Sequence, residues 1–262
     1  MTLAIRILFS ILCCIPFCGQ ANDFFHVRGP HTFSIGPEAY YMVRAREGGS
    51  RQYGGLYGGR FCYERLRRSA VYWGAEGYYA TGRLNGHDGL DRQIKSKKTD
   101  MEIEGRLGYS LQWRSGIPIS FTPFFCGGYF KEKNKFIDPS PIECTISEYF
   151  PYAGIGFLSR FYVVNNFSLG VNFKTKYMLG AKCTIDKDPF NDDIHLLIED
   201  KFIYDVDLPM TYSFCTRGHK VETSVVPFFC YRQYGRHEGH PFDYLGTRYQ
   251  IYGARLMFTY TF

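Results

Sequence analysis

The chain ends in Arg255-Leu256-Met257-Phe258-Thr259-Tyr260-Thr261-Phe262. Leu256, Phe258, Tyr260 and Phe262 take alternate positions, and Arg255, Met257, Thr259 and Thr261 take the positions between them. Successive side chains on a β-strand point to opposite faces, so this spacing predicts a strand with one apolar face.

The same period of two recurs upstream, for example from Met101 to Trp113, from Phe167 to Leu179 and from Tyr204 to Cys215. Strands of soluble proteins average about 5–6 residues, whereas a tilted strand that crosses a membrane needs about 9–11. The length of these runs therefore favours membrane-spanning strands.

Ten such segments alternate with short turns and long polar connections. The predicted strands are 36–46, 52–66, 70–82, 99–113, 119–132, 148–163, 167–182, 203–215, 221–233 and 248–262. The predicted external loops are 47–51, 83–98, 133–147, 183–202 and 234–247. Short turns at one end and long loops at the other are typical of bacterial barrels. The sequence thus predicts an all-β, transmembrane, antiparallel up-and-down β-barrel of ten strands. Eight or twelve strands are the alternatives, because Pro123 and Pro227 fall inside predicted strands.

Composition agrees with a barrel wall. Aromatic residues make up 18% of the chain, with 22 Tyr and 24 Phe, and aromatic girdles mark both interfaces of membrane barrels. After the first twenty residues no stretch reaches 18 apolar residues, which excludes a helical membrane protein.

The N-terminus predicts a secretory signal peptide. Arg6 supplies a positive charge, Ile7 to Phe17 form a short apolar run, and Gly19-Gln20-Ala21 has the small residues of a cleavage site. We expect residues 1–21 to be removed, 22–35 to form a periplasmic segment and 36–262 to form the barrel. An uncleaved N-terminal anchor is the alternative.

The terminal Phe262, preceded by Leu256, Phe258 and Tyr260 at alternate positions, resembles the C-terminal signature of bacterial outer-membrane β-barrel proteins. The resemblance covers about ten residues. It implies recognition by the barrel assembly machinery and export through the Sec pathway and the periplasm. It also implies a place in the outer membrane of a Gram-negative bacterium, among lipid and lipopolysaccharide. A nucleic-acid partner is not expected.

Charged residues on the strands predict the polar interior of the barrel, because outward side chains must be apolar. They are Arg44, Arg46, Arg60, Glu64, Glu76, Glu102, Glu104, Arg106, Arg160, Lys174, Lys176, Asp205, Asp207, Glu222, Arg232 and Arg255. Both signs occur in similar number, which favours a salt-bridged and largely plugged lumen. The alternative is a narrow pore with an acidic ring formed by Glu102, Glu104, Asp205 and Asp207.

Six cysteines follow the predicted signal peptide: Cys62, Cys126, Cys144, Cys183, Cys215 and Cys230. None has the spacing of a zinc site, and neither a metal nor a cofactor is predicted. The periplasm permits disulfides, so a Cys126–Cys230 or a Cys144–Cys183 bridge is a hypothesis, and small apolar fillers are the alternative. The usage resembles that of bacteria that crosslink their outer membrane through disulfides.

Three functions follow in order of preference. The first is a surface-exposed structural or interaction protein, adhesin-like, with a largely plugged lumen; the second is a small porin-like channel. An outer-membrane hydrolase is less favoured, and the chain is not expected to be an enzyme. The loops do place histidines beside carboxylates, at His87-Asp88, at His195 with Asp192 and Asp193, and at His237-Glu238 with His240 and Asp243. Neither a serine elbow nor a paired-aspartate motif accompanies them.

Overall fold

The computed structural model describes residues 31–67, 69–113, 118–141, 143–164, 166–187, 193–216, 219–239 and 243–262. The predicted signal peptide and residues 22–30 lie outside these ranges. Within them the secondary structure consists of β-strands. No helix in the described residues is long and apolar enough to cross a membrane.

Fourteen strand segments are present among these residues. They are β1 (His31–Arg46), β2 (Arg51–Arg65), β3 (Ala70–His87), β4 (Gln93–Trp113), β5 (Ile119–Ile137), β6 (Thr145–Val164), β7 (Phe167–Leu169), β8 (Asn172–Met178), β9 (Lys182–Asp186), β10 (Ile194–Leu197), β11 (Phe202–Asp207), β12 (Met210–Thr216), β13 (His219–Tyr234) and β14 (Thr247–Thr261). All their pairings are antiparallel.

The strands close into a ring. β1 pairs with both β2 and β14, and β6 pairs with β7 and β8 on the side away from β5. β7 and β8 share one position in the ring, β11 and β12 share another, and the β9–β10 hairpin extends β6 beyond it. The described segments therefore occupy ten positions around the ring. Within the ring of described strands closure leaves no free edge, which satisfies the backbone inside a bilayer, and only β10 beyond the ring pairs on one side.

Pro123 and Pro227, which left the predicted number of strands open, lie where the hydrogen bonding between two neighbouring strands is interrupted. Pro227 lies on β13 opposite the gap between β11, which ends its pairing at Asp207, and β12, which starts at Met210. Pro123 lies on β5 beside a gap in the pairing with β4. A proline has no N–H to donate, so each interrupts one ladder while its own strand continues.

Outward side chains form an apolar band, here called the apolar belt. Its exposed members include Phe33, Ile35, Tyr57, Phe61, Val71, Trp73, Tyr79, Met101, Ile103, Leu107, Phe125, Tyr129, Ile155, Phe229, Leu256 and Phe258. The belt lies between the end of the barrel that carries the tight turns (the turn end) and the end that carries the longer loops (the loop end). Its composition is that of a surface in contact with lipid.

The strands run further toward the loop end than predicted. β3 and β4 meet at residues 88–92, and β5 and β6 meet at residues 138–144, so most of the predicted loops 83–98 and 133–147 is strand. The outward residues there are polar, such as Arg83 and Lys97, because they stand above the belt. Polarity suggested a loop where the structure has a solvated strand.

Three other boundaries also differ from the prediction. The predicted loop 183–202 contains β10 and nearly all of β9, and the predicted loop 234–247 contains a bridge between His237 and Tyr244. β1 begins at His31, so the last residues of the predicted periplasmic segment belong to the barrel. Each difference arises from strand pairing that the local pattern does not reveal.

Candidate functional site in the barrel interior

The period of two that builds the strands also builds the interior. The sixteen charged residues predicted for the lumen all have their side chains on the inner face of the ring, where they are buried or half-buried. Glu38, Lys98, Asp100, Glu132 and Glu148 join them there. From the turn end to the loop end, the interior divides into three levels.

The turn end opens into a cavity of about 600 Å³, here called the vestibule. Thr32, Cys62 and Thr261 line its mouth, and Arg60 and Arg255 close its deep end. A smaller space of about 40 Å³ continues above it toward Arg232. The open volume thus narrows steeply toward the loop end.

One carboxylate organises the wall of the vestibule near the turn end. Arg160 Nη1 and Lys220 Nζ lie 3.1 and 2.9 Å from Glu222 Oε1, and the Ser213 hydroxyl donates to the same oxygen at 2.8 Å. Because two cations share one acid, this wall is slightly basic. Glu64, further up, accepts a hydrogen bond from the Tyr72 hydroxyl at 2.6 Å.

At mid-height the lumen is crossed by ion pairs, here called the middle network. Its members are Glu38, Arg60, Glu76, Glu102, Glu104, Arg106, Lys174, Lys176, Asp205, Asp207 and Arg255. Glu38 Oε2 accepts from Arg60 Nε at 2.7 Å and from Arg255 Nε at 2.9 Å. Six carboxylates face five cations, so the network is close to neutral.

The four residues predicted to form an acidic ring are each paired within this network. Glu102 Oε1 lies 2.6 Å from Lys176 Nζ, and Glu104 Oε1 lies 2.9 Å from Lys174 Nζ. Asp205 Oδ2 lies 3.0 Å from Lys176 Nζ, and Asp207 Oδ2 lies 3.0 Å from Arg255 Nη1. Such pairing neutralises the field that an acidic selectivity ring needs.

Above the middle network the lumen is filled by a second cluster, here called the upper plug. Its members are Arg44, Gln52, Lys98, Asp100, Glu132, Glu148, Arg232, Tyr234, Tyr244 and Tyr249. Glu132 lies above the apolar belt, since its outward neighbours are Lys131 and Lys133, and Asp100 lies at the upper edge of the belt, next to Met101. Each member is at most 4% exposed. The plug therefore separates the vestibule from the loop end.

Glu132 is the centre of the upper plug. It forms an ion pair with Lys98, and its Oε2 accepts from Arg232 Nη1 at 2.6 Å. Its Oε1 accepts from the Tyr249 hydroxyl at 2.7 Å, which in turn accepts from Arg44 Nε at 3.0 Å. A carboxylate that satisfies two cations and a phenol fixes the side chains of four strands in one arrangement.

The two plug glutamates that face one another across β5 and β6 differ in pKa. Burial opposes ionisation of Glu132, yet Lys98 and Arg232 outweigh it and lower its pKa to about 2. Burial, with the nearby charge of Glu132, raises the pKa of Glu148 to about 7. The nearest cation, Arg44 Nη2, lies 4.0 Å from Glu148. One member of the pair is thus ionised and the other titrates near neutrality.

No disulfide joins the cysteines whose side chains the structure describes. Cys62, Cys126, Cys183 and Cys230 carry free thiols, and the predicted Cys126–Cys230 and Cys144–Cys183 bridges are not formed in this structure. Asp205 accepts a hydrogen bond from the Cys230 thiol. Burial raises the pKa of Cys183, which favours the unreactive thiol. The side chain of Cys215 lies outside the described residues.

The histidines near the loop end have backbone and hydroxyl neighbours. His237 Nδ1 lies 2.8 Å from the Leu197 carbonyl oxygen, and His195 Nδ1 lies 3.4 Å from Thr184 Oγ1. Among the described residues no hydrogen bond joins a histidine to a carboxylate, and none of their His, Cys, Asp and Glu side chains cluster as a metal site. Asp192 and His240 lie outside those residues.

Interior charges that the sequence prediction omitted include Glu38, Lys98, Asp100, Glu132, Glu148 and Lys220. On β4, Lys98 and Asp100 lie an even number of positions from Glu102, and on β5 Glu132 lies an even number of positions from Cys126, so all of them share the inward face. Lys98 and Lys220 lie just outside the predicted strands 99–113 and 221–233. If the period of two on β4 and β5 is continued into the neighbouring polar segments, it places Lys98 and Glu132 on the inward face.

The fold is that of solved outer-membrane β-barrels. The outer membrane protease OmpT from Escherichia coli is 12% identical, with a TM-score of 0.53 over 88% of this chain and 96% of that chain. The translocator domain of the autotransporter NalP from Neisseria meningitidis is 9% identical, with a TM-score of 0.48 over 100% and 95%. No protein-family model matches this chain, and no curated protein matches it. At such low identity the likeness defines the class of fold and leaves the activity open.

Proposed function

We propose that this chain is an outer-membrane barrel of a Gram-negative bacterium whose lumen is closed and whose loops act at the cell surface as an interaction site. The observation that carries this proposal is the upper plug. Lys98, Asp100, Glu132 and Glu148 are fully buried across the lumen, which supports a passage closed to water and ions at this level. A conducting lumen keeps its charged groups hydrated.

The two ends of the barrel support this orientation. Only short turns lie at the end where His31 and Phe262 meet, and the longest connections, 179–201 and 235–246, lie at the other end. Bacterial barrels place short turns in the periplasm and long loops outside. The vestibule then opens to the periplasm, and the plug lies beneath the external loops.

The loop at residues 88–92 is built to present an apolar side chain. Asp88 Oδ1 accepts from the backbone N–H groups of Leu90 and Arg92, each at 2.9 Å, and Arg92 Nε donates to Asp88 Oδ2 at 2.8 Å. Leu90 at the tip is 76% exposed. An ordered loop on a rigid scaffold suits contact with a host or envelope protein.

A small porin-like channel is the second candidate, and the vestibule is the observation that favours it. A cavity of about 600 Å³ reaches from the turn end to the middle network. Conduction through it requires the upper plug to open. An outer-membrane hydrolase has less support, because the described histidines lack carboxylate partners.

Planar-bilayer conductance of the refolded chain separates the first two functions. We expect no unitary steps from the native chain. Steps are expected after Tyr244→Ala combined with Tyr249→Ala, which shortens two plug side chains. Tyr252→Ala, outward on the same strand as Tyr249, is the matched control.

Native steps that change in selectivity with Glu104→Gln and Asp207→Asn would instead establish a channel. Heat-modifiability on gels verifies that each variant is a folded barrel. Loss of that property in the native chain would contradict the barrel itself.

A further inference from the structure

A concentration of positive charge lies on the outer surface of β3, β4 and β5, above the apolar belt. This basic face consists of Arg83, Lys95, Lys97, Lys131, Lys133 and Lys135. Strand alternation turns all six outward; five are exposed and Lys95 is half-buried. The face is separate from the lumen, whose charges point the other way.

The strand register places these cations directly beside one another. Arg83 is opposite Lys97 on β4, and Lys97 is opposite Lys135 on β5. Side chains in such cross-strand positions have Cβ atoms about 4.5–5.5 Å apart, and like charges there are destabilising. Three cations in one row across three strands therefore lower stability unless an anion binds between them.

No carboxylate of the described residues compensates this charge. None of the six basic side chains forms an ion pair in that part of the chain. The strand carboxylates nearest in sequence, Asp100 and Glu132, point into the lumen and are fully buried there. The charge of the basic face is thus available to an external ligand.

The height of the basic face identifies the ligand as membrane-bound. Lys131 is opposite Met101 and next to Tyr129 at the top of the belt. Lys133 and Lys135 follow at intervals of two residues, each about 7 Å along the strand. The polar layer of a bilayer adds about 5–7 Å on each side of the hydrocarbon. The cations therefore begin at the headgroup level and continue just above it.

We propose that the basic face binds the phosphate groups of a phosphorylated glycolipid, of the lipid A kind, in the outer leaflet. Two phosphates on a sugar headgroup match several cations spread over three strands, whereas a zwitterionic phospholipid carries its own ammonium group. Thr81 Oγ1 and Thr99 Oγ1, 3.3 Å apart in the cross-strand row that contains Lys133, supply hydroxyls for the sugar. The inference rests on the proposed external position of the loop end.

The test is binding of bisphosphorylated lipid A by the refolded full chain in detergent micelles, followed by intrinsic fluorescence. Lys97→Gln, Lys133→Gln and Lys135→Gln are combined in one variant. The matched control combines Arg51→Gln, Lys182→Gln and Arg248→Gln, three outward cations near the loop end on other strands. Lysine contacts with anionic lipid are individually worth a few-fold in affinity, so we expect the first variant to bind at least about tenfold more weakly. The control should stay within about twofold of the native chain.

Two results would overturn the proposal. One is equal loss of binding in both triple variants; the other is equal binding of dephosphorylated lipid A. Inorganic phosphate at the same concentration should not displace the lipid. Complete displacement would show that the basic face binds any simple anion, and this result would also contradict the proposal. If the triple variant fails to show heat-modifiability, Lys97→Gln alone carries the comparison. None of these readouts depends on conductance, so the outcome is independent of the test for a closed lumen.

Discussion

Lys98 and Glu132 form an ion pair in which neither side chain is exposed to solvent. The pair joins β4 to β5 across the inner wall, above the level at which the outer surface is apolar. Burial of two charges is costly in itself, and breaking one partner of such a pair leaves the other uncompensated. The upper plug thus depends on both members being present.

Glu132→Gln should destabilise the barrel by about 3–5 kcal/mol, because Lys98 and Arg232 then remain buried without a counter-charge. Urea-induced unfolding in lipid vesicles measures the change. Lys133→Gln, the outward neighbour, is the matched control and should change stability by less than about 0.5 kcal/mol. Similar unfolding midpoints for the two variants would show that the plug contributes nothing to stability.

Glu148 should make stability depend on pH near neutrality. Its pKa in the folded chain is about 7 against an ordinary value of 4.5, so the folded state binds the proton more tightly. Stability is therefore greatest below pH 4.5 with respect to this group and falls as pH rises through about 7. Glu148→Gln should remove that decline between pH 5 and 8, as measured by urea midpoints.

The exposed loop residue Glu238 supplies the control for that experiment. Glu238→Gln should leave the native pH dependence unchanged. A decline that survives in Glu148→Gln would assign the titration to another group.

Much of the barrel follows from the sequence because the apolar belt imposes period two on every strand that crosses it. The closed antiparallel barrel was predicted, and single strands such as β14 already show which side chains point inward. The upper plug did not follow, because above the belt the outer face is polar too and alternation disappears. Lys98 falls in the predicted loop 83–98 and Glu148 at the first position of the predicted strand 148–163, so only the pairing of β3 through β6 reveals them as lumen groups.

The glycines on β2 lie close to the neighbouring strand. A Cβ at Gly58 would lie 1.9 Å from the Tyr79 carbonyl oxygen. The neighbouring strand occupies that space. Gly59 points outward, and a Cβ placed there would lie 3.7 Å from its nearest neighbour, the Gly36 carbonyl oxygen. These glycines permit close strand approach instead of widening a pore.

Gly58→Ala should consequently destabilise the barrel by about 1–3 kcal/mol through overpacking. Gly59→Ala, one residue along the same strand, should be neutral within about 0.5 kcal/mol or slightly stabilising. Unfolding midpoints of the two variants provide the measurement. Equal midpoints would mean that β2 and β3 have room to separate at this level.

Thiol labelling should map the open part of the lumen. Cys62 lines the vestibule, whereas Cys183 has no exposed surface and lies beside the upper plug. A charged methanethiosulfonate reagent should modify Cys62 in the folded barrel and leave Cys183 unmodified until urea is added. Mass spectrometry of the digested protein assigns each site. Rapid modification of Cys183 in the folded state would indicate a passage through the plug.

The contact between His31 and Phe262 allows assembly to be separated from folding. The two residues exchange backbone hydrogen bonds of 3.3 and 3.0 Å where the first and last strands meet, while the Phe262 ring is 52% exposed on the outer face. Phe262→Ala keeps the backbone contact and removes the ring. If the C-terminal residue is recognised by the assembly machinery, the heat-modifiable fraction in cells should fall several-fold while unaided refolding into vesicles stays near the native yield. Tyr252→Ala, outward on the same strand, should leave both unchanged. Parallel losses in cells and in vesicles would assign Phe262 to barrel stability alone.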